Sequence, residues 1–191
     1  LVRNFAEHQQ LTNSLNNNVT KLVVNFSRRF NPMYEEIFHD TRVSKIIIKF
    51  SGTLIHNGIH FFDLILKRFG EPESINKLTS NLLLFTYKSN LNVIFINIQD
   101  VNASVEEIEI YLKNERYLIS NNKQIKQKKI EDPAFNGFYI FGNDQDIEFN
   151  FQDELKNAYC YIIELLEKPD DCINELIHNK NLLKIIFDNE K

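Results

Sequence analysis

Apolar residues recur along this chain at two different spacings, and the spacing separates helices from strands. Steps of three and four, typical of an amphipathic helix, run through residues 11–30. The same spacing returns twice at the end of the chain, over 155–166 and 173–187, on either side of Pro169. We therefore predict a long N-terminal helix, which should end before Pro32 because the residue preceding a proline disfavours the helical region. A pair of helices is predicted to close the chain.

Between these helices the apolar residues form short β-branched runs or alternate with polar residues, as they do in β-strands. In one run Ile108 and Ile110 alternate with Glu107 and Glu109, which indicates an antiparallel sheet with one face toward solvent. Strands are predicted at 43–50, 82–87, 91–98, 105–112 and, more briefly, 117–119.

Two turn signals suggest hairpins within this sheet. The Asn57-Gly58 pair between apolar runs is typical of a type I′ hairpin, and a short helix over 62–69 is predicted to follow it. A second hairpin is predicted around Gly142-Asn143-Asp144. The pattern predicts a single α+β domain over residues 1–191, with a mainly antiparallel sheet, a long N-terminal helix and two C-terminal helices. Its parts are the N-terminal helix at 1–31, the sheet region at 43–151 and the C-terminal helical pair at 152–189.

Composition indicates a class of protein but no particular catalytic or binding activity. The 191 residues are 43% hydrophobic and 25% charged, with a formal net charge of −4, which is ordinary for a soluble globular domain. No apolar run approaches the roughly 18 residues that a membrane span needs. Cys160 and Cys172 are interpreted as buried free thiols, which suit a reducing compartment. We expect a cytoplasmic protein; the alternative is a periplasmic or envelope-anchored one, if a signal segment was removed before Leu1.

Metal ligation was tested on three groups of residues. In a two-residue hairpin His56 and His60 would point to opposite faces of the sheet, so they could not share a metal ion. The two cysteines lack the short spacing of a zinc site. The acidic pattern that starts at Asp144 has Phe149 where a calcium loop needs glycine. We predict no metal site.

The sequence contains no motif typical of catalysis and only a weak indication of nucleic-acid binding. The chain has no Gly-x-Ser-x-Gly motif and no glycine-rich loop, since its five glycines are isolated. The prediction is therefore a protein that is not an enzyme and holds no cofactor. Lys123, Lys126, Lys128 and Lys129 could contact phosphates, but no aromatic residues interleave with them and acids follow at 131–132. We expect no nucleic-acid partner.

An acidic stretch offers the one candidate binding surface. Residues 130–155 contain seven acids and no lysine or arginine. One interpretation is a solvated face, with the last acids favoured by a helix N-terminus. The other is a docking patch that attracts a basic protein partner and sets its register. The candidate contact residues are Asp144, Asp146 and Glu148.

The segment 46–112 combines a strand, Phe50-x-Gly52, a short helix, Gly70-Glu71-Pro72 and three strands. This order resembles bacterial immunity-type proteins of polymorphic-toxin and contact-dependent-inhibition systems, although Phe85 and Tyr87 stand where such proteins usually have a tryptophan. The resemblance implies a non-enzymatic protein that neutralises a partner, possibly a basic toxin, by occlusion. The same order is also similar to small outer-membrane-assembly lipoproteins, which implies an envelope-associated scaffold as the alternative.

Overall fold

The computed structural model describes residues 10, 27–38, 40, 42–120, 123–147 and 151–189. The fold is α+β with an eight-stranded, mainly antiparallel sheet, as the sequence pattern predicted. The strands are β1 Lys45–Ser51, β2 Ser74–Thr79, β3 Leu82–Thr86, β4 Asn92–Ile98, β5 Glu106–Tyr111, β6 Glu115–Ser120, β7 Lys123–Glu131 and β8 Tyr139–Ile147. The helices are α1 Pro32–Phe38, α2 Ile59–Phe69, α3 Phe151–Glu167 and α4 Pro169–Asn189, with a 3₁₀ turn at Ser27–Phe30 and a π-helical turn at Leu54–Gly58.

The strands lie in the order β2-β3-β4-β1-β5-β6-β7-β8. β1 and β4 run parallel, in register from the Lys45–Asn92 pair to the Ser51–Ile98 pair, and the other neighbours are antiparallel. Because parallel strands end at the same edge of a sheet, the carboxyl ends of β1 and β4 meet there. α2 begins at this edge, immediately after the turn that follows β1.

One face of the central strands carries the core. In β1, Ile46, Ile48 and Phe50 are fully buried at alternate positions. α2 covers this face with its apolar side, and the ring centroid of Phe62 lies 4.4 Å from that of Phe95, edge to face. Such aromatic contacts add to the stabilisation from area buried alone. Leu182 of α4 completes the helix layer over α2.

The opposite face of the same strands is half-buried and partly charged. Lys49 of β1 reaches across to β5, with its Nζ 2.7 Å from Glu109 and 3.4 Å from Glu107. The alternation of Glu107 and Glu109 with buried Ile108 and Ile110 agrees with the half-solvated strand predicted from the sequence. Among the described residues, one face of this strand therefore packs in the core and the other carries half-buried charged side chains.

Several local predictions need correction. Residues 54–58 form a π-helical turn that leads into α2, so no hairpin turn is present at Asn57-Gly58. Residues 139–147 form one continuous strand, so the second predicted hairpin turn, at 142–144, is also wrong. The hairpin that the structure has here joins β7 to β8 through residues 132–138. Strands β2 and β7 were not predicted.

The predicted helices at the end of the chain are confirmed as α3 and α4. The predicted N-terminal helix lies almost entirely outside the described residues, and its last four residues form a 3₁₀ turn instead. Cys160 is exposed and free, contrary to the expectation that it is buried. Within the part of the chain that is described, no helix is both long and apolar enough to cross a membrane.

Candidate functional site

The turn between β1 and α2 is built around one glycine and one asparagine. Gly52 has φ +90°, a conformation that side-chain-bearing residues rarely adopt, and a Cβ placed there would lie 2.7 Å from Asn57 Nδ2. The Asn57 amide uses this space to donate a hydrogen bond to the Ser51 carbonyl oxygen at 2.6 Å. At the same turn the Thr53 hydroxyl accepts a hydrogen bond from the His56 backbone N–H at 3.3 Å. These contacts fix the π-helical turn against the end of β1.

A second glycine lets α2 approach the sheet. A Cβ at Gly58 would lie 3.1 Å from the Phe50 ring and 3.3 Å from the Leu54 side chain. The start of α2 is therefore packed directly on the end of β1. π-helical turns of this kind occur frequently at functional sites, because they redirect side chains out of the regular helical repeat. Here the π-helical turn carries His56, and His60 follows it in the first turn of α2.

The His60 side chain is half-buried at this edge, beside a charged pair. Arg28, in the 3₁₀ turn, forms an ion pair with Glu106 at the start of β5. The Arg28 guanidinium also lies over the Phe61 ring, 4.3 Å from its centroid. Burial, and then the nearby Arg28 charge, lower the pKa of the His60 imidazole below its ordinary value of 6.5. Burial and Arg28 therefore both favour the neutral imidazole, which is the form that can accept a proton.

The neighbouring arginine points to the other side of the 3₁₀ turn. Arg29 is buried and forms ion pairs with Glu175 of α4 at 3.0 Å and with Asp63 of α2 at 3.4 Å. Asp63 also lies 2.8 Å from His178 Nε2. Glu175 in turn contacts Lys67. This buried charged network joins α2, α4 and the 3₁₀ turn, and so fixes where Arg28 can lie.

The Glu175 carboxyl is the best-connected group in that network. Burial acts to raise its pKa, but hydrogen bonds from Lys67 and Tyr161 and the charge of Arg29 outweigh burial and hold the pKa below its usual value. Glu175 is accordingly ionised at neutral pH. Its oxygens are taken by Lys67, Tyr161 and Arg29, so it holds α2, α3 and the 3₁₀ turn against α4.

Asp144 and Asp146, from the acidic stretch, lie on β8, at the far edge of the sheet from α2. Both are exposed, and Asp144 accepts a hydrogen bond from Gln127 Nε2 at 2.7 Å. β7 pairs with β8 and carries the four lysines of the sequence cluster. Lys126 lies opposite Gln145, the residue between the two aspartates. Glu148 lies outside the described residues. A docking role for these three acids stays a prediction.

The structure separates those acids from the β1–α2 edge by three strands, so the two candidate sites are independent. Sequence reasoning considered His56 and His60 only as metal ligands, and it did not consider Arg28 or Glu106. Across the described ranges there is no group of three or more metal-ligating side chains. The sequence feature that could have indicated this site is the spacing of Gly52, Gly58 and His60, but the Asn57-Gly58 pair was interpreted as a hairpin turn.

Comparison with known proteins gives a fold but no family. No family model matches the chain, and no curated protein matches it. Among solved structures, a dehydrogenase (MviM) from Clostridium difficile matches with a TM-score of 0.67 and 21% identity, over 97% of this chain and 68% of that one. UDP-N-acetylglucosamine 3-dehydrogenase GnnA from Acidithiobacillus ferrooxidans matches with 0.62 and 12%, over 97% and 65%.

A third structure is KijD10, a 3-ketoreductase from Actinomadura kijaniata in complex with NADP and TDP-benzene, with a TM-score of 0.68 and 8% identity, over 97% of this chain and 67% of that one. The shared property is the fold. This finding corrects the resemblance to immunity-type proteins, because these solved structures, which match nearly the whole of this chain, are dehydrogenases and a ketoreductase. The prediction of a non-catalytic, toxin-neutralising protein is wrong. The chain spans about two-thirds of the length of these structures.

One structure that shares the fold binds NADP. In this chain, the glycine-containing turn after β1 is the candidate binding site for the pyrophosphate of such a dinucleotide. A pyrophosphate needs glycines that leave open space at a helix N-terminus. At Gly52 the Asn57 side chain fills that space, and at Gly58 the side chains of Phe50 and Leu54 do. The described residues therefore do not fit a dinucleotide cradle at this turn.

Proposed function

We propose that this chain provides the substrate-binding and proton-transfer half of an oxidoreductase. The observation that carries the proposal is the neutral, half-buried His60 beside the Arg28–Glu106 pair, at the edge where β1 and β4 end. The fold shared with dehydrogenases and a ketoreductase supports it. Because the turn does not fit a dinucleotide, the proposal assigns the chain no part in holding one.

His60 is assigned the role of general base, which accepts the proton of the substrate hydroxyl. When an alcohol is oxidised to a ketone, its carbon gives a hydride to an acceptor, which would be a nicotinamide held elsewhere than at this turn, and its hydroxyl gives up a proton. A neutral imidazole is suited to accept that proton and return it in the reverse reaction. The lowered pKa of His60 keeps the accepting form populated at neutral pH. A general base of this kind typically contributes about 10²- to 10⁴-fold to the rate.

Arg28 is assigned substrate orientation. Its guanidinium is held by Glu106 and by the Phe61 ring, so the donors that remain have a fixed direction. Two of the structures that share the fold are described as acting on or binding nucleotide-linked compounds, UDP-N-acetylglucosamine for GnnA and TDP-benzene for KijD10. A secondary alcohol or ketone on a sugar nucleotide is therefore the proposed substrate class. A cytoplasmic location is part of the proposal, supported by the exposed free Cys160 thiol.

The test follows the His60 imidazole by NMR while UDP-N-acetylglucosamine is added. We expect a pKa below 6.5 in the free protein and a shift of the ring signals on binding. His60→Gln and Arg28→Gln should each weaken binding by about tenfold, the effect of losing a charge-assisted or buried hydrogen bond. His56→Gln is the matched control, because His56 is exposed and four residues away; it should bind within about twofold of the unmodified chain.

Two results would contradict the proposal. One is a His60 pKa at or above 6.5, which would show that burial and Arg28 do not favour the neutral imidazole. The other is binding of the sugar nucleotide that His60→Gln and Arg28→Gln leave unchanged, which would place the ligand elsewhere on the chain.

A further inference from the structure

A cavity lies on the opposite side of the 3₁₀ turn from Arg28. It is open to solvent, has a volume of about 490 Å³ and is bordered by the 3₁₀ turn, α1, α2 and α3. It shares no lining residue with the His60 edge, because Arg28 and Arg29 point in different directions from consecutive positions. Its volume falls within the range of small-molecule sites, roughly 300–1,000 Å³.

The charged lining of this cavity is cationic. Arg29, Lys67 and Arg68 line it, and no acid does so among the residues whose side chains the structure describes. The carboxylate of Glu175 lies behind the lining and is shared between Arg29 and Lys67. Arg68 donates through Nε to the Phe38 carbonyl oxygen at 2.6 Å and has no carboxylate partner in the described ranges. Arg68, which also borders the neighbouring pocket that contains Asp40, is therefore the lining guanidinium whose fork carries no carboxylate among the described residues.

The rest of the lining is aromatic. The ring centroids of Phe30 and Tyr161 lie 4.9 Å apart, and the Arg29 guanidinium lies 5.0 Å and 5.4 Å from them. Tyr34 stacks on Phe38 with a centroid separation of 5.8 Å. Two pairs of rings therefore border a cavity that also presents an arginine fork. Flat apolar surfaces beside a fixed guanidinium match a ligand that has a planar ring and a single negative charge.

We propose that this cavity binds a small aromatic monocarboxylate, with the carboxylate on Arg68 and the ring against Phe38 and Tyr161. The proposal is independent of the oxidoreductase assignment, because no residue of the His60 edge takes part. A sugar nucleotide is not expected here, since a diphosphate would bring two charges to a cavity with one available guanidinium.

Benzoate is the probe, added to the whole chain and followed by isothermal titration and by NOEs from its ring protons. We expect a Kd of about 1 mM or lower, an affinity within reach of a ligand of this size. NOEs should connect the benzoate ring to Phe38 and Tyr161. Benzamide, which has the ring without the charge, should bind at least about tenfold more weakly.

Arg68→Gln should weaken benzoate binding by about tenfold or more. Arg42→Gln is the matched control, since Arg42 is an exposed arginine paired with Asp40, and it should leave the affinity unchanged. Thermal melts of both variants establish that they fold, and the NOEs of the unmodified chain test the site without any substitution.

Three outcomes would overturn the inference. They are NOEs to residues outside this cavity, no binding at about 10 mM, and equal affinity for benzoate and inorganic phosphate. The last would show a general anion site without selection for a ring. Loss of benzoate binding in Arg68→Gln with retained sugar-nucleotide binding would separate this site from the His60 edge.

Discussion

Phenylalanines occur in two regions of this molecule and behave differently in each. In the helix-backed region, which comprises β1, β3, β4, β5 and α2, Phe50, Phe62 and Phe85 are fully buried. In the outer hairpin, which comprises β7, β8 and residues 132–138, Phe135 is 65% exposed and Phe138 is 68% exposed. The difference arises because α2 covers only the central strands. The candidate site lies in the region where packing can hold side chains in place.

The largest contrast should appear on truncating one ring in each region. Phe62→Ala removes a ring that packs on Phe85 and Phe95, so it should lower the free energy of unfolding by about 3–5 kcal/mol. Phe138→Ala removes an exposed ring and should change it by less than about 0.5 kcal/mol. Urea unfolding of both variants measures the difference. Similar losses in the two variants would mean that the outer hairpin is packed against something in solution.

The next largest contrast is between two carboxylates. Glu175 of α4 is buried against α2, whereas Asp146 of the outer hairpin is exposed. Glu175→Gln leaves Lys67 and Arg29 without their shared carboxylate, so it should cost about 3 kcal/mol at pH 7. Asp146→Asn should change stability by less than about 0.5 kcal/mol.

The pH dependence of stability tests the same contrast. The pKa of Glu175 is lower in the folded chain than its ordinary value of 4.5, so its contribution is present above pH 4.5 and is lost as the pH falls through the folded value. The unmodified chain and Asp146→Asn should lose stability below about pH 4.5, whereas Glu175→Gln should show a flatter acid limb. Parallel acid limbs in all three proteins would contradict the assigned role of Glu175.

Two glycines with similar backbone angles give a finer comparison. Gly52 and Gly137 have φ of +90° and +81°, but a Cβ would strike Asn57 at the first and meet nothing within 4 Å at the second. Gly137→Ala should cost about 1–2 kcal/mol, for the strained backbone alone. Gly52→Ala should cost about 1 kcal/mol more, because the Asn57 hydrogen bond to Ser51 is also disturbed.

Thermal melts of the two alanine variants, with the His60 NMR signal as a local probe, check this prediction. The His60 signal should shift in Gly52→Ala and stay unchanged in Gly137→Ala. An unchanged His60 signal in Gly52→Ala would show that the turn does not position His60.

The two regions also differ in how far their sequence predicted them. β5 was predictable because one face is buried and its apolar residues alternate, from Ile108 to Leu112. β7 was not, since it is rich in lysine and is held mainly by pairing with β6 and β8. Asn143, which was interpreted as part of a turn, does have a turn-like backbone, with φ +55°. It lies beside a register shift in the β7–β8 pairing and is therefore part of a β-bulge within the strand.

The candidate site was missed because its residues meet only in three dimensions. Asn57-Gly58 has the local signature of a hairpin, yet the capping Thr53 and the apolar face of α2 select a helical turn. Arg28 comes to His60 from a separate segment, through contacts with Phe61 and Glu106 that no local pattern contains. Local sequence therefore predicted most elements of the helix-backed region but not the pair of side chains that its edge brings together.

The smallest expected effect lies within the outer hairpin itself. Tyr139 is 58% exposed, but Lys129 Nζ lies over its ring, 4.2 Å from the centroid. Tyr139→Leu keeps an apolar side chain and removes this cation–π contact, so it should cost about 0.5–1 kcal/mol. Tyr159→Leu on α3 is the control, because that ring is 65% exposed and should cost less. Urea unfolding of Lys129→Gln, alone and combined with Tyr139→Leu, isolates the pairwise energy, and a coupling of zero would show that this cation–π contact does not stabilise the outer hairpin.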